Sequence, residues 1–401
     1  MSILSCSPLT EVNNAEKGVL SPTYSALVAP MERQLPYLPE LVSRSHRPLS
    51  FTFSHQVHGL VYYHTQGFTS GQDLLQALEE DPLARQRIVP VSGLGETTFY
   101  EANVTRGLPQ MLTLLERLSK KASKQLKMEH LALGKLTAID GSLIDASLSM
   151  TWAEYSSTQR KAKAHLGFNL NQGIPRILAL TDGKGAERPF VSTFLEEGET
   201  GVVDRGYVDY QRFDEWIDHG QHFVASIRKK AQYQILERLP IPPHTNIFFF
   251  AQVQLWGDAH RMHHPLFLVG FNARRKVYWI VTDRADLSAE QIAFIFALRW
   301  QIEAFFAWWK KHLNVYHLLS RHPHGVFLQL LAGLVTYLLL SLHFHQRYGE
   351  KPSLRRLRRL RHQIRRETYT TYVHVSTIDL LLICGLLVAF VWILMQANSK
   401  P

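Results

Sequence analysis

From about residue 41 to residue 128 the apolar positions step at helical spacing. Ser70 with Asp73 reads as a capping box ahead of Leu74, Leu75 and Leu78. Leu108, Met111, Leu112, Leu115 and Leu118 recur every few residues, and Lys120, Lys121, Lys124 and Lys127 crowd the end of that run. This predicts an all-helical, basic-ended domain over 41–130. Residues 1–40 show no clear period and predict a loosely ordered leader. The lysine cluster reads equally as a solvated helix end or as a DNA-binding face.

The texture changes near Leu136. Leu136-Thr137-Ala138-Ile139 suits a short buried strand that stops at Asp140-Gly141-Ser142. His165–Leu170 and Ile174–Leu180 read as two more strands, joined by the turn Asn171-Gln172-Gly173. A helix is predicted over Arg188–Glu196, then a strand at Gly201-Val202-Val203 halted by Asp204-Arg205-Gly206. A helix over Tyr210–His219 and a strand over His222–Ile227 follow. The order is strand, strand, strand, helix, strand, helix, strand.

Between Gln232 and Asp283 the pattern loses helical period, with strands at Ile247–Leu255, Leu266–Phe271 and Val277–Val281. Leu287–His312 reads as one long helix. Val326–Leu342 is apolar but interrupted by Gln329, Thr336 and Ser341, which suits a core helix. Leu354, Leu357, Leu360 and Ile364 then mark one helical face, while Arg355, Arg356, Arg358, Arg359, Arg361, Arg365 and Arg366 cover the rest. Leu380–Met395 carries no charge, but its sixteen residues fall short of the roughly 20 a spanning helix needs. A buried terminal helix is the expectation there. A tail anchor is the alternative, since a polybasic stretch precedes it.

Composition adds direction. The 401 residues carry 44 Lys+Arg against 34 Asp+Glu, a net charge of +10, which favours a polyanion or an acidic membrane surface. Cys6 and Cys384 are the two cysteines, so neither a disulfide framework nor a cysteine metal site is expected, in keeping with a cytoplasmic protein. Met1–Ala29 contains Glu11 and Glu16 and no continuous apolar run, so no secretory signal is expected.

The chemistry gathers at three acids. Asp140 and Asp204 each end an apolar strand, and ligands collect at the carboxyl edge of parallel strands. Glu303 sits on the long helix four residues after Arg299 and seven before Lys310, so all three share a face. Three carboxylates around one point repel each other unless a divalent cation intervenes. Hard oxygen ligands select Mg²⁺ or Mn²⁺, and two such ions about 3.5–4 Å apart suit in-line attack on a phosphodiester. Taken singly, each acid reads as a strand-end cap or a surface charge. Asp145, Asp182 and Asp209 have equal claim from composition.

These motifs resemble the DDE transposases of insertion sequences, in the group marked by Tyr-x2-Arg-x3-Glu-x6-Lys. Here that motif reads Phe296-x2-Arg299-x3-Glu303-x6-Lys310. Ile139-Asp140-Gly141-Ser142 and Val203-Asp204-Arg205-Gly206-Tyr207 match the family's first and second acid motifs. Lys163–Phe168 and Gly173-Ile174-Pro175 also match, and the likeness spans about Gly134–Leu342. It implies an α/β, ribonuclease-H-like mixed sheet over 131–231 and 286–320, with a β-rich insertion at 232–285. The helical N-terminal domain would precede it and a C-terminal helical region, 321–401, would follow. It further implies that Asp140, Asp204 and Glu303 bind Mg²⁺, with Mn²⁺ as a substitute, and that Arg299 and Lys310 contact the DNA backbone near the element's end, with Phe296 at the motif's tyrosine position beside that DNA; Trp300, next to Arg299, is a candidate DNA contact from its place in the chain. The partners implied are double-stranded DNA, as element ends and target, and a second copy of the chain in a synaptic dimer, in a prokaryotic, nucleoid-associated setting. A membrane is not the expected partner.

The departure is Phe296, where the family carries tyrosine; the lost hydroxyl removes one phosphate hydrogen bond of roughly 1–2 kcal/mol. Trp300 reads as core or as a base-stacking surface. His260, His263 and His264 suit zinc by type, but with Arg261 among them they read as a surface turn near DNA. The arginine-rich segment suits sequence-independent phosphate binding or a membrane surface. Lys229, Lys230, Arg274, Arg275 and Lys276 read as DNA contacts or solvated turns. A nuclease without strand transfer and a non-catalytic DNA-binding derivative remain open.

Overall fold

A helix stands where the sequence predicts a loose leader. The computed structural model describes residues 22–41, 48–186, 189–257, 260–273 and 276–368. The expectations for residues 1–21, Arg274, Arg275 and Leu380–Met395 lie outside that range. Helix α1 (Pro22–Glu32) buries Tyr24, Leu27, Val28 and Met31 completely, which corrects the leader reading for its second half. The stripe spans only two to three turns, too short to declare a period, and such a helix depends on what it packs against.

The basic-ended region holds the helices α2 (Phe53–Gln66), α3 (Gly71–Glu80), α4 (Pro82–Ile88), α5 (Glu96–Thr105) and α6 (Leu108–Gln125). Ser70 Oγ accepts the Asp73 amide at 3.0 Å, but the Asp73 carboxylate turns to the Thr69 amide at 3.1 Å, so the box is half formed. In α6 Leu114 takes an inward place beside Met111, Leu115 and Leu118, while Leu112 is 40% exposed.

The sheet begins with β1 (Lys135–Ala146), antiparallel to β2 (Arg160–Asn169), which is antiparallel to β3 (Ile174–Asp182). Gly173 in the β2–β3 turn has φ +71°, a conformation that favours glycine. Asn171 there is fully buried; its amide donates to the carbonyls of Glu129 and Gly134, and its oxygen accepts the Leu136 amide. The turn thereby fixes the start of β1. After the short helix α7 (Phe190–Phe194) comes β4 (Glu199–Val203), parallel to β1. Helix α8 (Tyr210–Asp218) leads to β5 (His222–Ser226), parallel to β4.

The strand-rich segment does not stand apart. It forms β6 (Gln232–Arg238), β7 (Ile247–Trp256), β8 (Leu266–Ala273) and β9 (Lys276–Thr282), and β9 pairs antiparallel with β5. One nine-stranded sheet results, in the order β3-β2-β1-β4-β5-β9-β8-β7-β6. The sequence gives no separate sign of β6, an edge strand whose residues are mostly exposed.

The long helix also departs from its reading. It divides into α9 (Ala289–Leu298) and α10 (Trp300–His312), joined at Arg299. There the Arg299 amide reaches the Phe296 carbonyl at 3.2 Å and the Ile302 amide reaches the Arg299 carbonyl at 3.0 Å, a tightened three-residue spacing. Helix α11 (Pro323–Tyr348) is apolar all round because it is buried all round. It packs on α1, α2, α5, α6, α10 and β3. By length and composition it alone among the described residues would cross a membrane, yet 94% of its apolar window is buried within the protein. Gly333 on α11 permits the approach to α10, since a Cβ there would lie 2.7 Å from Trp309 Nε1. A last helix, α12 (354–368), buries Leu357, Leu360 and Ile364. Arg361 does not join its solvated basic face: it is 5% exposed, and its Nε donates to the His64 carbonyl at 2.9 Å. One apolar cluster runs from Tyr24 through the sheet to Ile364, so the helices at both ends and one face of the sheet share a core.

Candidate active site

Register brings the first two acids together. The parallel β1–β4 pairing runs from Lys135↔Glu199 to Ala138↔Val202 and stops. Asp140 and Asp204 each lie two residues beyond the last pair, so both stand on the same side where the strands part. Asp140 is not the end of its strand, as the sequence suggests. β1 runs on through Ala146, paired with β2 as far as Ala146↔Arg160. What ends, two residues before Asp140, is the partnership with β4, and that opens the edge. The Asp204 carboxylate accepts the Gly206 amide at 2.7 Å and caps the turn Arg205–Tyr207, and Asp140 accepts the Gly141 amide at 2.8 Å.

Helix α10 packs on β1 and supplies the third acid. Glu303 lies in the helix's first turn, where the dipole favours negative charge. Arg299 Nη1 is 2.8 Å from Glu303 Oε1 and 4.0 Å from Asp140 Oδ2, so one guanidinium spans two of the acids. The other Glu303 oxygen, Oε2, is buried without a hydrogen-bond partner. Burial pushes the Asp140 carboxyl up to about 7; Arg299 and the Gly141 amide pull it down, and Asp204 and Glu303 push it further up.

The rival acids have structural duties. Asp145 pairs with Lys161 at 2.8 Å, Asp182 accepts the Lys184 amide at 3.0 Å, and Asp209 caps α8. Lys310 turns to β1 and donates to the Leu143 carbonyl at 2.5 Å. Burial lowers its pKa, with Asp145 and Asp140 opposing and Lys161 assisting. Trp300 is 53% exposed beside the acids, whereas Trp308 and Trp309 are core. Phe296 is 5% exposed, packs on Tyr278 and lies beneath the Arg299 guanidinium. α9 lies against β4, β5, β7, β8 and β9, which turns that ring inward.

Residues 132–339, just over half of the chain, match the family described as the transposase DDE domain. The chain belongs to the DDE transposase family. Its relatives are insertion-sequence transposases. A Sinorhizobium fredii chain described as transposase y4zB is 26% identical over 270 residues, 65% of this chain and 74% of that one. A Geobacillus stearothermophilus chain, described as the transposase of element IS5377, is 24% identical over 59% of this chain and 64% of its own length. A Synechocystis transposase of element IS4SA is 24% identical over 62% of this chain and 72% of its own. A piggyBac transposase in a synaptic complex with hairpin DNA aligns over 90% of this chain and 80% of that one, at TM-score 0.44 and 10% identity, a likeness too distant to carry argument.

The transposase holds a further cluster that sequence reasoning set aside. Among the described residues, the one His, Cys, Asp or Glu trio with ligand atoms all within 4.8 Å of one another is Asp214, His260 and His263. The three acids of the motif are more open than that, with Arg299 lying between two of them.

Proposed function

We propose that Asp140, Asp204 and Glu303 hold the divalent ions of a DNA-cleaving and DNA-joining enzyme, with Mg²⁺ the expected ion and Mn²⁺ a substitute. The reading makes the chain a transposase that binds the terminal inverted repeats of its element as a dimer, cleaves there and joins the freed 3′-hydroxyl to target DNA. The donor set fits: three carboxylates offer hard oxygens, and one Glu303 oxygen is buried without a partner. When bound, such ions activate a water or a 3′-hydroxyl and stabilise the leaving oxygen.

The chain's own groups do the rest. Asp140 is held ready by the Gly141 amide, and Asp204 by the Gly206 amide. Arg299, now spanning Asp140 and Glu303, has the planar fork that holds a phosphate through paired hydrogen bonds. Trp300, next to it and exposed, offers a flat face for a base. The three antiparallel strands β3-β2-β1, continued by parallel β4 and β5, support a ribonuclease-H-like core.

The observation that carries this reading is the convergence at Asp140: Arg299 ties it to Glu303, and both Asp204 and Glu303 act on its charge. Glu303→Gln tests it. Cleavage of element-end DNA in Mg²⁺ should vanish while a gel shift on the same DNA persists; retained cleavage rejects the assignment. A donor with a pre-made 3′-hydroxyl separates transposition from simple hydrolysis, because a plain nuclease yields no joined product.

A further inference from the structure

We infer that Asp214, His260 and His263 form a zinc site that fastens the β7–β8 connection to α8, apart from the three motif acids. Asp214 is 4% exposed on α8, among the apolar side chains behind the second face of the sheet. Its Oδ2 accepts His260 Nε2 at 2.8 Å and the His263 amide at 2.9 Å, and its Oδ1 accepts the His264 amide at 3.1 Å. Among the described residues no lysine or arginine pairs with it.

The chemistry of the donors is specific. Two imidazoles and one carboxylate suit zinc, whereas magnesium prefers oxygen alone. The candidate ligand atoms already lie within 4.8 Å of one another. Tetrahedral bonds of about 2.0–2.1 Å set two donors on one ion roughly 3.3 Å apart, so side-chain rotations that open the 2.8 Å His260–Asp214 contact by about 0.5 Å and close the widest gap by at most about 1.5 Å would complete the site. The backbone holds the histidines in place: the Gly257 amide reaches the His260 carbonyl at 2.8 Å, and the Met262 amide reaches Leu255 at 3.1 Å. His264 Nε2 bonds Asp218, one turn along α8 from Asp214, at 2.9 Å, a neighbouring contact that supports the site without joining it. Solvent has access, because His263 is exposed and His260 also lines a cavity of about 630 Å³ with Arg205, Arg228 and Lys230. Three protein donors leave one position for water, as in open zinc sites.

The test uses the full-length chain without a histidine tag, in an Asp140→Asn, Asp204→Asn, Glu303→Gln background so that the motif acids contribute nothing. Zn²⁺ is titrated calorimetrically and Co²⁺ is followed by its visible absorption. One tight equivalent and a tetrahedral cobalt spectrum are expected. His263→Gln, at an exposed position, should weaken Zn²⁺ binding more than 100-fold. His264→Gln should weaken it by less, within the roughly 10–100-fold typical of an outer partner. Absence of a tight equivalent, or equal affinity in the His263→Gln variant and its parent, overturns the site. Neither result bears on the motif acids.

Discussion

Replacing Asp140 by asparagine should make the metal-free protein more stable, and by an amount that grows with pH. The carboxyl is pushed up to about 7 in the folded chain, chiefly by burial, from an ordinary value of 3.8. Between those two values the unfolded chain has released a proton that the folded chain keeps, so stability falls as pH rises from near 4 to near 7 and then levels off. Each unit is worth about 1.4 kcal/mol, so the full penalty approaches about 4 kcal/mol. Between pH 5 and pH 8 the wild type should lose about 3 kcal/mol that Asp140→Asn does not. Urea melts of both proteins in EDTA, at those two pH values, isolate the effect because other titrating groups cancel in the difference. Packing changes cancel as well, being independent of pH. Adding Mg²⁺ at pH 8 should stabilise the wild type and leave the variant unmoved, since binding to the native state alone raises stability. A stability difference that stays constant with pH would refute the electrostatic account of Asp140.

Other outcomes follow from the same geometry. Phe296→Tyr restores the family's residue but places a hydroxyl on a ring that is 5% exposed, so fluorescence-anisotropy titrations should show no gain in DNA affinity, with a stability loss of about 1–3 kcal/mol. Trp300→Ala, at a 53% exposed position, should weaken DNA binding by about 1–3 kcal/mol while leaving the urea midpoint nearly unchanged. Arg361→Met leaves the His64 carbonyl without its Nε partner and should cost about 1–3 kcal/mol in urea melts, despite lying in a basic run that invites a DNA role. The Asp283 hydrogen bond raises the pKa of His222, so its contribution should be present at low pH and lost as pH rises through the raised value; His222→Gln should remove that pH dependence from thermal melts.

The sequence conveyed what repeats at short range. Alternating apolar runs gave the order of β1 to β5, and the acids stood out because each closed such a run. It could not convey what tertiary contacts decide. β1 continues through Gly141–Asp145 because β2 pairs with it there, while the local composition is that of a turn. α1 reads as irregular because its inward stripe is short and its packing partner, α11, lies some three hundred residues later. Arg361 and the six other arginines beside it look alike in composition; only the packing of α12 on α2 makes one of them a buried donor. The histidines at 260, 263 and 264 read as a surface turn because their carboxylate, Asp214, comes from a helix more than forty residues earlier.

The break at Arg299 shows why a spacing rule can be right for an incomplete reason. An uninterrupted helix would put Arg299, Glu303 and Lys310 on one stripe, and the first two do meet at 2.8 Å. Lys310 instead reaches back to the Leu143 carbonyl, because α10 lies against β1 and the lysine follows the strand. The tightened turn at Arg299 lets α9 pack on β4, β5 and the strands beyond while α10 covers β1. Glu303 therefore stands on the helix that covers β1, and Arg299, at the junction itself, lies 2.8 Å from Glu303 and 4.0 Å from Asp140. The junction residue is thus the one that ties the helical acid to the strand acid.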